Sequence, residues 1–416
     1  MTGKWHSKNL RMRYVGNKRK VRMRISKQLR ILKFNYDSLF QIGYFLLIFN
    51  QVLAQSQFNE MKYPSLLLQL FRWLLISFFT VLIMCKGKYP YNRTGLFWIC
   101  FAVIAITEML FFNGKILLII LFLLVIASYK TNMNSLIKIH IKALISGIIV
   151  VSFSSWIGVL DILGVYKKFD NISGFLFKQS NIRYAFGFIN SNIIPINSLY
   201  LYLYTVLTKK DNYKWYLDVF VVIVNYLIYL LCGSRVSILL LLFAVFLRIL
   251  IQMDKKRFLS LFAPMAVVLL IGCLMFSLIL PSSTIYTTSL VAIIDKLLTA
   301  RITIMRNVFA RFPITLFGYG EVTIDNSVEY LVMDNGYIAL FVMRGLIIGL
   351  IFMTFLLMMI NTSKKSKDPY LLMFIIIMIL ANIVDNSILH YITFPIYIMS
   401  FNNMKIRKDR GISLHE

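Results

Sequence analysis

Residues 216–250 read YLDVFVVIVNYLIYLLCGSRVSILLLLFAVFLRIL. Two apolar runs, 216–232 and 236–250, meet at a tight polar joint, Cys232-Gly233-Ser234-Arg235. A helix needs about 20 apolar residues to cross the hydrocarbon of a bilayer. Two such runs back to back predict a membrane hairpin, and with it an all-α, polytopic membrane protein. At 1.5 Å per residue the runs cover roughly 26 and 23 Å, short of the roughly 30 Å core. The joint is therefore expected below the outer surface, at the floor of a cavity, where irregular backbone is tolerated if it lines water or protein.

The same reading extends along the chain. Its 416 residues are 59% hydrophobic and only 15% charged, whereas soluble domains are about 45–50% apolar and about 25% charged. Apolar runs suggest about twelve spans: 38–54, 65–84, 95–112, 115–129, 143–164, 188–207, 216–232, 236–250, 259–281, 335–360, 370–387 and 389–402. No internal repeat or soluble domain interrupts them. The organisation expected is a basic amino terminus (1–37), one transmembrane domain (38–402) and a basic tail (403–416).

The net charge of +28 does not point to nucleic acid, because of where it lies. Lysines and arginines crowd the first 33 residues and the polar gaps 86–93, 130–142, 208–214, 248–257 and 361–369. That is the pattern by which cytoplasmic loops are retained. It puts both termini in the cytoplasm of a multi-pass protein of the cell membrane, with the basic amino terminus against anionic lipid head groups. A cleavable signal peptide is not expected, since its basic region would be unusually long. Cys85, Cys100, Cys232 and Cys273 sit in or beside apolar runs without a Cys-x-x-Cys pair, and the four histidines are scattered. Neither a disulfide framework nor a metal site is implied. Two long outer loops remain, 165–187 and 282–334; the second carries Glu321, Asp325, Glu329 and Asp334. A long loop in a compact domain is usually functional or disordered, and the apolar periodicity of this one favours function.

Arginines on the outer side run against the charge bias, so each needs a reason. Arg235 follows the joint; the alternative to a functional role is a snorkelling side chain that anchors a helix end. Over 290–311, at 100° per residue, Leu290, Ile294, Leu297, Ile304 and Val308 share one stripe with Arg301 inside it. Asp295 and Arg306 fall opposite, and Arg311 lies at the edge. An interfacial helix with one guanidinium on its membrane side is expected. Arg344 is ten residues beyond Asp334, about 15 Å deeper if the helix is continuous. Near the midplane an arginine costs about 2.5–3.5 kcal/mol on insertion scales and is usually functional or paired; Asp385 or Glu108 could pair with it. Tyr337 shares its face, and Gly345 and Gly349 form a small-residue patch suited to a close neighbouring helix. Guanidinium groups grip phosphate through paired charge-assisted bonds, and a carboxylate beside them can take a hydroxyl proton. Together they suit transfer chemistry on a lipid-linked pyrophosphate.

Four segments, RYAFGFINSN (183–192), LLCGSRVSILLLL (230–242), LLTARITIMRNVFARFPITLFGYG (297–320) and DNGYIALFVMRGLIIG (334–349), resemble in order and spacing the bacterial Wzy-type polysaccharide polymerases. The related O-antigen ligases share part of the pattern. The resemblance implies a GT-C-type membrane glycosyltransferase that joins repeat units carried on undecaprenyl pyrophosphate, without a nucleotide sugar, cofactor or metal. It implies Arg235 and Arg301 as holders of the pyrophosphate and Asp334 as the base. Arg183, Asn190, Asn192, Arg306, Asn335, Tyr337 and Arg344 become substrate contacts. Partners implied are the lipid-linked oligosaccharide, membrane lipids, and a chain-length regulator and flippase of the same pathway. The ligases place a histidine near the position of Asp334, so the aspartate favours a polymerase. A ligase, or a lipid-linked oligosaccharide flippase with no chemistry, is the alternative.

Overall fold

With no water in the hydrocarbon, a chain must satisfy its backbone internally, and helices do so within one segment. A computed structural model describes residues 36–86, 117–129, 131–163, 183–282, 291–293, 295, 301–320, 335–386 and 390–399. These are helical, and the only extended pairing among them is two isolated bridges, Ser56 with Phe188 and Leu163 with Tyr184. In chain order the helices are α1 (36–53), α2 (Lys62–Lys86), α3 (Leu117–Ala127), α4 (Met133–Trp156), α5 (Ile193–Lys209), α6 (Trp215–Cys232), α7 (Arg235–Met253), α8 (Lys255–Leu274), α9 (Arg301–Arg311), α10 (Gly345–Ser366), α11 (Pro369–Ala381) and α12 (394–399). Six are long and apolar enough to cross a membrane: α2, α4, α6, α7, α8 with its π-helical extension to Ile279, and α10. The chain is a multi-span helical membrane protein.

The count of about twelve spans is not reached among the described residues. The run 95–112 lies outside them. The run 188–207 becomes the 17-residue α5, and the runs 115–129 and 370–387 contract to α3 and α11, of 11 and 13 residues. At 1.5 Å per residue α11 is only about 20 Å long. It is apolar all round, and every residue from Pro369 to Ala381 except Leu380 is buried. Such a helix belongs in protein, not in lipid. It forms the centre of the bundle, packed chiefly on α7 and α8 and also on α10 and α5. Phe374 meets the rings of Tyr200 and Tyr204, with centroids 5.7 and 4.9 Å away.

Three of the expected polar gaps meet at one end of this bundle. Lys210 pairs with Asp368 (2.6 Å) and Lys255 with Asp211 (2.6 Å), while Tyr370 donates to Asp211 (2.7 Å). The hydrogen bonds from Lys255 and then Tyr370 hold the Asp211 carboxyl below its ordinary range. Asp254 alone separates α7 from α8, and its side chain accepts the Lys256 and Arg257 N–H groups at 2.9 and 3.0 Å.

Two expected gaps are helical instead. Residues 133–142 of the gap 130–142 open α4, where Asn132 caps the first turn and Lys138 and Lys142 stand exposed on one face. Residues 248–253 close α7, because Arg248 is not a loop residue. It is 1% exposed and paired with Asp218 of α6, which also accepts from Tyr202 (2.9 Å), and it lies 5.1 Å from the Tyr213 ring centroid. With α6 and α7 thus 18 and 19 residues long, about 27 and 28 Å, helix length no longer argues that the joint is sunken.

The run 335–360 is not one helix. One turn (Gly336–Ile338) and a π-helical segment (Ala339–Met343) stop at Arg344, and α10 restarts at Gly345. Arg344 therefore stands at the mouth of a 22-residue span and not halfway down one. The interruption leaves backbone groups without helical partners, and the segment 315–320 takes them. Leu346 and Ile347 donate to the Thr315 and Leu316 carbonyls (2.8 and 3.2 Å), while Tyr319 and Gly320 donate to those of Val342 and Met343 (3.1 and 2.9 Å). The approach needs Gly318 (φ +75°) and Gly345 (φ +82°): a Cβ on either would strike the other's backbone. The small-residue patch of Gly345 and Gly349 thus receives this segment and the Phe341 ring, not a neighbouring span.

Alanine at Gly318 or Gly345 should lower the thermal midpoint of detergent-solubilised protein more than alanine at Gly158. Gly158 shares the positive φ (+81°) but has nothing near its would-be Cβ, so only the left-handed backbone cost of about 1–2 kcal/mol applies there. Equal shifts at all three positions would contradict the close approach.

Candidate functional site

At the end of the bundle opposite the Lys–Asp pairs, two groups of residues form around interruptions of the helices. The first is the α6–α7 joint. Gly233, in the left-handed conformation, ends α6 with its N–H on the Tyr229 carbonyl (2.8 Å). The chain at 183–184 runs alongside, Tyr184 donating to the Leu231 carbonyl (3.1 Å). The Arg183 side chain crosses Gly233, since a Cβ there would lie 3.3 Å from Arg183 Nε. Arg235 opens α7 and is exposed. Arg183 and Arg235 thus flank one joint. Asn190 and Asn192, both half-buried, form the turn before α5, the Asn192 N–H donating to Asn190 Oδ1 (2.9 Å).

The second group surrounds the turn 382–386 that follows α11. A helix C-terminus leaves its last carbonyls without helical partners; here N–H groups of the turn take those of Met378, Leu380 and Ala381, and the turn's own carbonyls are met from other segments. Gly336 N–H takes the Asn382 carbonyl (2.8 Å), Asn335 Nδ2 takes that of Ile383 (3.0 Å), and the Arg301 guanidinium takes that of Val384. Asn335 has more partners: Nδ2 also donates to Ser277 Oγ (2.9 Å), and Oδ1 caps the following turn through the Tyr337 and Ile338 N–H groups (both 3.0 Å). At 4% exposure it is an interior bracket joining α8's extension, α9 and the turn. The helix cap at this point is therefore Asn335; Asp334, the candidate base, lies outside the described residues. Tyr337 is fully buried with its hydroxyl on the Ile379 carbonyl (2.8 Å), and Arg344 is 4% exposed.

The segment 290–311 differs from its expected form. A continuous helix would hold residues 295 and 302 two turns apart, yet Asp295 Oδ1 accepts the Ile302 N–H (2.7 Å). Residues 295 and 302 therefore do not stand on one straight helix; Leu290, Ile294 and Leu297 of the expected stripe lie outside the described residues. The buried face of α9 is Ile302, Met305 and Val308; Met305 and Val308 pack on Ile338 and Val342 with Phe276 beside them. That apolar face is turned to protein and not to the bilayer. Arg301 is half-buried beside it, and Arg306 and Arg311 are exposed.

Among the described residues no three His, Cys, Asp or Glu side chains gather closely enough to hold a metal ion. His140 is buried with its Nδ1 at 3.0 Å from the Tyr44 hydroxyl, and His390 contacts Gln55, which also accepts from Tyr391 (2.8 Å). The chain matches no family model, no curated protein and no solved structure.

Removing the Asn335 side chain should destabilise the protein by about 1–3 kcal/mol, the cost of leaving buried polar partners unmet. Arg306→Ala, on the exposed face of α9, should stay within about 0.5 kcal/mol. Thermal midpoints in one detergent compare the two; an Asn335→Ala protein as stable as the parent would mean that the bracket carries no weight.

Proposed function

We propose that the chain is a membrane glycosyltransferase of the Wzy type. In this reading it polymerises oligosaccharide repeat units carried on undecaprenyl pyrophosphate, at the outer face of the cytoplasmic membrane, into capsular, exo- or O-antigen polysaccharide. The observation that carries the reading is that the two helix breaks with their arginines, Arg183 and Arg235 at one and Arg301 and Arg344 at the other, lie at the same end of the bundle. All four stand at the end of the bundle opposite the lysine-rich, ion-paired loops, where charge bias alone would not put them. With the lysine end cytoplasmic and about twelve spans in all, this arginine end faces outward and both termini face inward.

The chemistry requires a hydroxyl oxygen of the acceptor sugar to attack the anomeric carbon of the donor. The bond from that carbon to the pyrophosphate oxygen breaks, the hydroxyl proton passes to Asp334, and undecaprenyl pyrophosphate leaves. Arg235 and Arg301 hold the pyrophosphate and stabilise the charge it gains; fixed donors do this without reorganising during the step. Arg183, beside Arg235 on the joint, adds to the same field. Asn335 is turned inward, so its part here is to hold the chain from which Asp334 extends.

The decisive test is the lipid-linked glycan that accumulates when the gene is deleted. A single repeat unit on the outer leaflet is expected. Complete chains still on lipid would make the protein a ligase, and units trapped on the inner leaflet would make it a flippase.

For the base, Asp334→Asn is the informative change, because asparagine cannot accept the proton at neutral pH. General-base catalysis contributes about 10²–10⁴ in rate, so polymer formation should fall at least about a hundredfold with the protein still in the membrane. Near-normal polymer would move the role to another carboxylate.

A further inference from the structure

We propose that Asp295 is a positioning residue that sets where Arg301 points. The residue is 8% exposed, and its carboxylate meets the first turn of α9. Oδ1 accepts the N–H groups of Ile302 (2.7 Å) and Thr303 (3.3 Å), and Oδ2 accepts the Thr303 hydroxyl (2.5 Å). Arg301 is the first residue of that helix. A carboxylate at this point satisfies free N–H groups and favours the positive end of the helix dipole. It comes from six residues upstream of Arg301, so it ties the first turn of α9 to residue 295.

Two further contacts complete the constraint on α9. Met305 and Val308 lock its rotation against Ile338 and Val342, and the Arg301 guanidinium reaches the Val384 carbonyl. Rotation is thus set by packing and reach by the guanidinium, while the position of the first turn depends on Asp295. A guanidinium grips phosphate only when its planar fork is aimed, so a displaced first turn would weaken it without removing any ligand contact. This last step rests on the function proposed above; the positioning itself does not.

The two claims can be separated. In full-length protein with its four cysteines replaced by alanine, Arg301→Cys and Val384→Cys report the position of α9's start through cross-linking by a short rigid bis-maleimide. Loss of a cap is worth about 1 kcal/mol. Asp295→Ala should therefore slow the cross-link about fivefold by the same measure. Asp295→Asn, which keeps an accepting oxygen, should stay near the parent. An unchanged rate in Asp295→Ala overturns the proposal. If that variant does not accumulate, Thr303→Val, which removes one of the three contacts, decides instead: a smaller slowing supports the proposal, and no change overturns it.

The link to phosphate is read with undecaprenyl pyrophosphate as probe, bound to protein carrying the native residues at 301 and 384 in nanodiscs. Arg301→Ala and Asp295→Ala should each weaken binding, and the double variant should bind no worse than Arg301→Ala alone. Additive losses would overturn the claim that Asp295 acts through Arg301. A parent protein that does not bind the probe counts against the proposed function, and leaves the cross-linking result to stand on its own.

Discussion

A polypeptide inside a bilayer has no water to repair a broken helix, and the structure is organised around two places where helices break all the same. At Arg344–Gly345 the repair comes from the segment 315–320, whose carbonyls and N–H groups exchange four hydrogen bonds with the chain on either side of the break. At the end of α11 it comes from Arg301, Asn335 and Gly336, which take three successive carbonyls. A backbone group left unmet on burial costs about 1–3 kcal/mol, so each interruption leans on the segment that pairs with it. The residues that make the repairs are drawn largely from 301–347.

These repairs change how single residues should be read. Asn335 sits in the most suggestive motif, yet its amide is engaged on both sides with protein. Arg301 satisfies a carbonyl and is half-buried beside an apolar face, so the phosphate contact proposed for it would share one guanidinium of five donors with that structural contact. Both uses are compatible, since one carbonyl occupies only part of the fork.

Much of the architecture could be read from apolar runs. Five of the twelve proposed runs correspond to helices of spanning length within about ten residues at either end, and the run 335–360 does so only after its break. The break itself was not legible. Arg344 and Gly345 look like a buried charge and a packing glycine, and only the return of 315–320 reveals a restart. Asp295 falls opposite the stripe only if one helix phase runs through residues 295–302, and its bond to the Ile302 N–H excludes that. The Asp218–Arg248 pair had a signal that went unread. In a tight hairpin, residues equidistant from the joint face each other, and Asp218 lies fifteen residues before Gly233 while Arg248 lies fourteen after Ser234. Sign alone sends lysines and arginines to loops, but Arg248 is buried within a helix and paired with Asp218.

The central position of α11 bears on how the protein is made. Chains fold broadly from the amino terminus as they are synthesised, and α5, α7 and α8, whose faces enclose α11, emerge well over a hundred residues earlier in the first case and about a hundred in the last. Until residue 381 has left the ribosome, those faces have no core to close on. The half-built bundle lacks its central helix until the chain from Pro369 onward arrives. Truncation before α11 would thus remove the helix on which α5, α7, α8 and α10 all pack, and not merely shorten the domain.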